Sequence, residues 1–172
     1  YKTRDTSLSF GQVLSRGYEY DEALTVFREM VELASLDIVD KEITTGHIAL
    51  MVGYQWEVYG QMPSTSKSRK LPGNTDSFNE LWSEFYNLWR ESVLEDLPVR
   101  RINLSLGNLV PRDFTSYSLF ENEQLLEKEH NLDKTLLGIK NKWGKNSIIH
   151  ASSLKEEATM RTRNKQVGGH RA

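Results

Sequence analysis

The sequence contains no cysteine, only four prolines among its 172 residues, and no long apolar run. Without cysteine the chain can form no disulfide framework and has no thiol nucleophile. No stretch approaches the roughly 18 apolar residues of a membrane-spanning helix, and no segment resembles a signal peptide. We therefore expect a cytoplasmic protein with no membrane partner. The chain starts at Tyr1 rather than at Met, which suggests a piece of a longer protein.

Groupings of catalytic or metal-binding residues are also missing from the sequence. The four histidines, His47, His130, His150 and His170, are far apart and lack metal-ligand spacing. His47 lies in a strand pattern and is interpreted as a structural histidine. Almost all carboxylates fall in predicted helices, whereas magnesium-dependent phosphoryl transfer needs them at strand ends. We expect no catalytic residue, metal site or cofactor in this chain, which would therefore not be an enzyme by itself.

The clearest pattern present is a half-buried strand within Val99 to Val110. Ile102, Leu104 and Leu106 alternate with a polar row, and a period of two is typical of a strand with one buried face. The polar row and its neighbours offer two arginines and small hydroxyl or amide groups, which are side chains that bind phosphate well. The members of this row are Arg101, Asn103, Ser105 and Gly107.

The remaining patterns predict an α+β fold with the order β-α-β-β-α-β. Strands are predicted over 6–14, 47–54 and 65–71, and helices begin at caps Asp21 and Asp76. This order is typical of a four-stranded antiparallel sheet with both helices on one face. The aromatic face of the second helix is assigned to the core. Residues 1–110 would form this domain, and residues 111–172 would form a partly helical, loosely ordered tail.

The charges separate between the predicted elements although the net charge is only −2. The predicted helices, over 19–42 and 76–96, carry a net charge of −11, and the rest of residues 1–110 carries +6. Because the helices cover one face, the open face and the edges of the sheet would be positive. This separation favours binding of a polyanion in one orientation. A solvated surface of mixed charge is the alternative.

A short peptide after the last strand is a candidate docking segment. It comprises Ser116, Tyr117, Ser118, Leu119 and Phe120. An extended segment can insert Leu and Phe into an apolar cleft of a partner, while its polar neighbours fix the register. The alternative is that both apolar side chains fold back onto the domain.

Taken together, these segments resemble the C-terminal part of a UmuC-like Y-family translesion DNA polymerase. The resemblance is carried by SFGQVLSRGY, GHIALMVGY, PVRRINLSLGNLV, SYSLF, IIHASSL and RNKQVGGHRA, and it runs through essentially the whole chain. It is strongest to the UV-damage repair branch of Gram-positive bacteria, their plasmids and phages. Residues 1–110 would be the little finger domain and residues 111–172 the tail. The catalytic palm, with its magnesium, and the fingers and thumb would precede Tyr1.

The resemblance implies two binding sites and a role in error-prone synthesis during the SOS response to DNA damage. In the family, little finger strands lie along the DNA backbone and a tail peptide binds the sliding clamp. Ser116 and Tyr117 replace the Gln and the first Leu of the family peptide, which predicts weaker clamp binding. Polymerase accessory proteins would be further partners. The candidate DNA-binding residues are Ser7, Ser9, Arg16, Lys67, Ser68, Arg69, Lys70, Arg100, Arg101 and Asn103.

Two other classes of protein share parts of this pattern. An RNA-binding module can have the same strand order, but it stacks bases on aromatic side chains of its central strands. Here residues 67–71 contain no aromatic residue, and Phe10 falls in the row predicted to face the core. A protein-interaction adaptor would instead use the helices as its binding surface and would not contact DNA.

Overall fold

A four-stranded antiparallel sheet with two long helices on one face forms most of the structure. The computed structural model describes residues 7–55, 61–114, 122–167 and 170–171. Within this part the main elements are β1 (Ser7–Tyr18), α1 (Tyr20–Asp40), β2 (Ile43–Tyr54), β3 (Ser64–Thr75), α2 (Phe78–Ser92) and β4 (Val99–Gly107). The strand order across the sheet is β1-β4-β2-β3. The predicted α+β fold and its β-α-β-β-α-β order are confirmed.

Shorter elements and one further long helix follow β4. The two-residue strand β5 (Val110–Pro111) pairs with the start of β2. Helix α3 (Glu123–Trp143) is followed by the one-turn helix α4 (Met160–Arg163) and by the paired strands β6 (Gln166–Val167) and β7 (His170–Arg171). Short 3-10 turns lie at Arg112–Phe114 and Ala151–Leu154.

The two helices begin at different residues from those predicted. For α1, the N-cap is Glu19, whose backbone N–H donates to the Glu22 carboxylate at 3.0 Å. For α2, the N-cap is Ser77, whose hydroxyl oxygen accepts from the backbone N–H of Glu80 at 3.2 Å. Asp and Ser are both good N-caps, so adjacent Asp76 and Ser77 could not be distinguished by pattern alone.

The hydrophobic core lies between the sheet and the two helices. On the sheet side, Ile48, Leu50 and Val52 alternate along β2 with half-exposed residues. On the helix side, the rings of Phe27 and Trp89 stack with their centroids 4.9 Å apart. The prediction that the aromatic face of α2 belongs to the core holds for the fully buried Phe85 and Trp89, while Phe78 and Trp82 lie half-buried at its margin.

The partly helical tail is confirmed, and a few of its described residues pack on the helix layer. Leu126 of α3 and Met160 of α4 are buried, the latter with 1% of its surface exposed. The buried carboxylate of Glu29 in α1 accepts from the backbone N–H groups of Thr159 and Met160 at 2.9 and 3.0 Å. This docking was not predicted, because the apolar residues of the tail are few and widely spaced. None of the described helices is long and apolar enough to span a membrane.

Candidate nucleic-acid interface

The sheet face opposite the helices is not covered by any described element, and most of the side chains on it are short and uncharged. The strand register decides which residues point to this side, because paired residues share a face. We call it the open sheet face. Its described residues are Ser7, Ser9, Gly11, Val13, His47, Ala49, Met51, Gly53, Ser64, Ser66, Ser68, Lys70, Arg101, Asn103, Ser105 and Gly107.

The charges on the open sheet face are all positive. Lys70 and Arg101 are exposed, and neither forms an ion pair with a described carboxylate. The sixteen described residues of the face include no Asp or Glu, and they include no aromatic side chain other than the imidazole of His47. A face of this composition can bind phosphates, and the imidazole of His47 is the only ring among its described residues on which a base could stack. Six of the ten predicted DNA-binding residues lie on this face. Asn103 is half-exposed, and the other five are exposed: Ser7, Ser9, Ser68, Lys70 and Arg101.

Asn103 and Gly11 show why the face is flat. These residues are directly opposite each other on β4 and β1. A Cβ atom at Gly11 would overlap the side-chain oxygen of Asn103. The glycine therefore lets the Asn103 amide lie across the neighbouring strand, where it remains half-exposed. An amide held in this way can donate hydrogen bonds to a phosphate or a sugar oxygen.

Arg100 is the extra residue of a β-bulge and is not aligned with the open sheet face. Its neighbours are paired with adjacent residues of β2, Val99 with Tyr54 and Arg101 with Gly53. The bulge interrupts the alternation that the sequence suggested. The Arg100 side chain is half-buried, and its Nη1 atom is shielded from solvent without a hydrogen-bond partner among the described residues.

Lys67 and Arg69, two of the candidate DNA-binding residues, lie on the helix side of β3 and not on the open sheet face. The Lys67 Nζ lies 2.7 Å from a carboxylate oxygen of Glu91. Arg69 contacts Glu84 at 3.0 Å and Glu91 at 2.7 Å. Hydrogen bonds from these two cations hold the pKa of Glu91 below its ordinary value. Because both rows of this edge strand are polar, alternation in the sequence does not indicate which row faces the helices.

Arg16 is also engaged with the helix layer. It forms a bidentate pair with Glu22 of α1, with N–O distances of 2.6 and 2.9 Å, and its guanidinium lies 4.4 Å from the ring centre of Tyr18. The hydrogen bonds from Arg16, with that from the backbone of Glu19, lower the pKa of Glu22 to about 2. Arg16 remains exposed, but it is not brought together with Lys70 and Arg101.

His47 is a functional candidate that the sequence interpretation missed. It lies on the open sheet face in β2, directly between Lys70 of β3 and Gly107 of β4. Its side chain is half-exposed. The signal was present in the sequence, because alternation with Ile48 and Leu50 puts His47 opposite the core.

The predicted docking peptide, residues 116–120, lies outside the described residues. The described segments on either side of it are joined by a buried ion network. The Asp76 carboxylate accepts from Arg112 Nη1 at 2.6 Å and contacts His130 Nδ1 at 2.7 Å. Arg112 also pairs with Glu127 of α3 at 2.8 Å. Among the described residues, no group of three or more His, Cys, Asp or Glu could hold a metal ion.

The fold and the site described above can be compared with known proteins. Residues 6–119 match the family model described as the impB/mucB/samB family C-terminal domain. Because this match covers about two thirds of the chain, the chain belongs to the impB/mucB/samB family. The predicted assignment to the C-terminal part of a Y-family polymerase is thereby confirmed.

Two proteins named DNA polymerase IV 2 are similar to nearly the whole chain. That of Halalkalibacterium halodurans is 23% identical over 171 residues, which is 98% of this chain and 40% of the relative. That of Bacillus subtilis is 24% identical over 170 residues, which is 95% of this chain and 39% of the relative. The chain therefore spans about two fifths of the length of these curated relatives.

A solved structure of the little finger domain of PolIV in complex with the beta-clamp processivity factor is also similar. The alignment covers 67% of this chain and 99% of that chain, with 9% sequence identity and a TM-score of 0.46.

Proposed function

We propose that the open sheet face binds the sugar-phosphate backbone of DNA. The observation that supports this most is the separation of charge between the two sides of the sheet. Lys70 and Arg101 lack a carboxylate partner among the described residues, whereas Lys67 and Arg69 on the other side are neutralised by Glu84 and Glu91. The short side chains between the two cations let a phosphodiester strand approach the backbone of the sheet closely.

Binding to this face is independent of DNA sequence. Sequence reading in the major groove needs a helix or a two-stranded ribbon that enters the groove, and the flat open sheet face has neither. Contacts to phosphate and sugar position a protein without reading bases. With two or three phosphates neutralised, the logarithm of the affinity falls with the logarithm of the salt concentration at a slope of about −2 to −3. Binding is accordingly weak at physiological salt.

The test compares two double variants of equal charge change. Lys70→Gln with Arg101→Gln removes the cations of the open sheet face, and Lys67→Gln with Arg69→Gln removes cations of the helix side. Duplex affinity is measured by fluorescence anisotropy across a salt series. The first variant should lose affinity equally for unrelated sequences and should have a slope smaller by about 2. The second should bind like the original chain.

Equal losses in both variants would reject the open sheet face as the DNA-binding surface. A loss confined to one DNA sequence would also contradict the proposal. Thermal unfolding of each variant controls for damage to the fold, since Lys67 and Arg69 form ion pairs with α2.

A second contact would be made by the predicted docking peptide, residues 116–120. We propose that Leu119 and Phe120 insert into an apolar cleft of the sliding clamp, with the flanking serines fixing the register. Family membership and the retained Ser118-Leu119-Phe120 segment support this assignment.

At the level of the whole protein, we propose that the chain is the DNA-binding end of an error-prone translesion polymerase acting in the SOS response. Residues 1–110 would hold DNA, and residues 111–172 would carry the clamp contact and meet accessory proteins. Nucleotide transfer and its magnesium ions would belong to the catalytic part of the protein, so this chain alone should not extend a primer.

A further inference from the structure

Basic side chains without a carboxylate partner gather where α3 ends. Lys142, Lys145 and Arg161 are exposed, and none forms an ion pair with a described residue. The sequence from residue 134 to residue 155 contains no Asp or Glu. These three residues and Trp143 are called the tail patch here.

Trp143 is the most exposed described tryptophan of the chain. Its relative exposure is 70%, compared with 0% for Trp89 in the core. The ammonium group of Lys142 lies 5.1 Å from the centre of its ring. An exposed indole beside cations does not gain the free energy that burial of its apolar surface would provide. The face of the ring opposite Lys142 remains available to another planar group.

Hydrogen bonds hold the two segments of the tail patch together. Lys140 donates to the carbonyls of Lys145 and Ile148, at 3.2 and 2.6 Å, and so fixes the turn that follows α3. The side chain of Asn146 donates to the carbonyl of Arg161 at 3.1 Å. The side chain of the residue after Lys145 is therefore in direct contact with α4, which carries Arg161.

We propose that the tail patch binds single-stranded nucleic acid. An unpaired base stacks on Trp143, and Lys142, Lys145 and Arg161 bind the phosphates on either side of it. Aromatic rings combined with cations that follow the backbone are the usual means of binding single strands without sequence preference. A duplex hides the faces of its bases, so it can use the cations but not the indole.

The tail patch is distinct from the open sheet face. It lies at the end of α3, which packs on α1, and α1 covers the opposite side of the sheet. The inference therefore does not depend on the proposed function of the sheet, and each surface can be changed without altering the other.

The experiment measures anisotropy of a labelled oligothymidylate of about 16 nucleotides and of a duplex of equal length, both with the 172-residue chain. Trp143→Ala should weaken binding of the single strand by about tenfold and leave duplex binding unchanged. Trp143→Phe, which keeps a ring, should retain most of the affinity. Lys142→Gln should weaken single-strand binding and reduce the salt slope by about 0.7. Lys128→Gln is the matched control, because Lys128 is also an exposed lysine of α3 but lies near its other end.

Three results would overturn the inference. One is equal loss of single-strand and duplex affinity in Trp143→Ala, which would mean that no base stacks on the ring. Another is an equal effect of Lys128→Gln and Lys142→Gln, which would reflect overall charge. The third is unchanged single-strand affinity in all variants, which would indicate that the patch binds an acidic protein surface instead. Repeating the series with Lys70→Gln and Arg101→Gln present separates the two surfaces, since the effect of Trp143→Ala should persist there.

Discussion

Asp76 is the residue that joins the tail to the sheet domain most directly. Asp76 is 4% exposed, and its carboxylate is shared by Arg112 and His130, which come from opposite sides of the docking peptide. Breaking such a buried network is costly, because removing the shared carboxylate takes a close partner away from two largely buried side chains. His130 is 54 residues away in the chain, so no local pattern could predict this contact.

Replacing Asp76 with Ala should therefore be strongly destabilising. It leaves the nearly buried Arg112 guanidinium without its 2.6 Å contact and His130 without its acceptor. We expect the free energy of unfolding to fall by about 3–5 kcal/mol, measured by urea titration at pH 7.

The control is Glu42→Gln in the same network. Glu42 is half-exposed and contacts His130 at 3.5 Å and Lys134. An exposed ion pair contributes about 1 kcal/mol or less, so this variant should stay close to the original stability. Equal effects of the two variants would mean that burial of Asp76 has no special importance.

At the scale of whole elements, β4 could be predicted from the sequence and the orientation of β3 could not. In β4 an apolar row of Ile102, Leu104 and Leu106 alternates with a polar row, and this contrast determines which side is buried. In β3 the residues from Thr65 to Lys70 are polar in both rows, so the choice of face depends on Glu84 and Glu91 of α2. The bulge at Arg100 is likewise a tertiary feature, because it arises where β4 pairs with both neighbours.

The packing of α3 gives a prediction about pH. Burial raises the pKa of Asp133 to about 6, and the nearby carboxylates of Glu129, Asp76 and Glu32 add to the effect. The unfolded chain titrates near the ordinary value for Asp, about 3.9. Between these values the folded state binds more protons than the unfolded state, so this group's contribution to stability is present at low pH and is lost as the pH rises through 6.

Asp133→Asn should accordingly stabilise the protein at pH 7 and should have little effect below pH 4. Allowing for the partial exposure of Asp133, we expect a gain of about 1 kcal/mol in the free energy of unfolding. Urea titrations at several pH values measure it. Asp96→Asn, which changes an exposed carboxyl in the loop after α2, is the control and should give no comparable gain at pH 7. A gain for Asp133→Asn that did not depend on pH would contradict the stated cause.

At the scale of the whole molecule, the two sides of the sheet differ in charge and in what covers them. The helix layer is acidic, and the tail covers part of it through contacts with α1 and α2. One example is the Glu29 carboxylate of α1, which accepts hydrogen bonds from the backbone N–H groups of Thr159 and Met160. The open sheet face remains bare and positive among the described residues. Under the proposed function, contacts to two or three phosphates would not hold a polymerase at a primer end, so a second attachment would be needed. A short tether to a partner on the same DNA raises the local concentration to roughly the millimolar range.

Leu119 and Phe120 are expected to provide that attachment. Each buried apolar side chain contributes roughly 1.5–3 kcal/mol, so the pair could supply most of a micromolar interaction with the sliding clamp, and Ser116 and Tyr117 predict the weak end of that range. The double variant Leu119→Ala with Phe120→Ala should abolish clamp binding, measured by surface plasmon resonance, without changing duplex affinity. The control is Leu125→Ala with Leu132→Ala, which shortens two exposed leucines of α3 and should bind normally. Unfolding of the Leu119 and Phe120 variant would assign the pair to the core and reject docking.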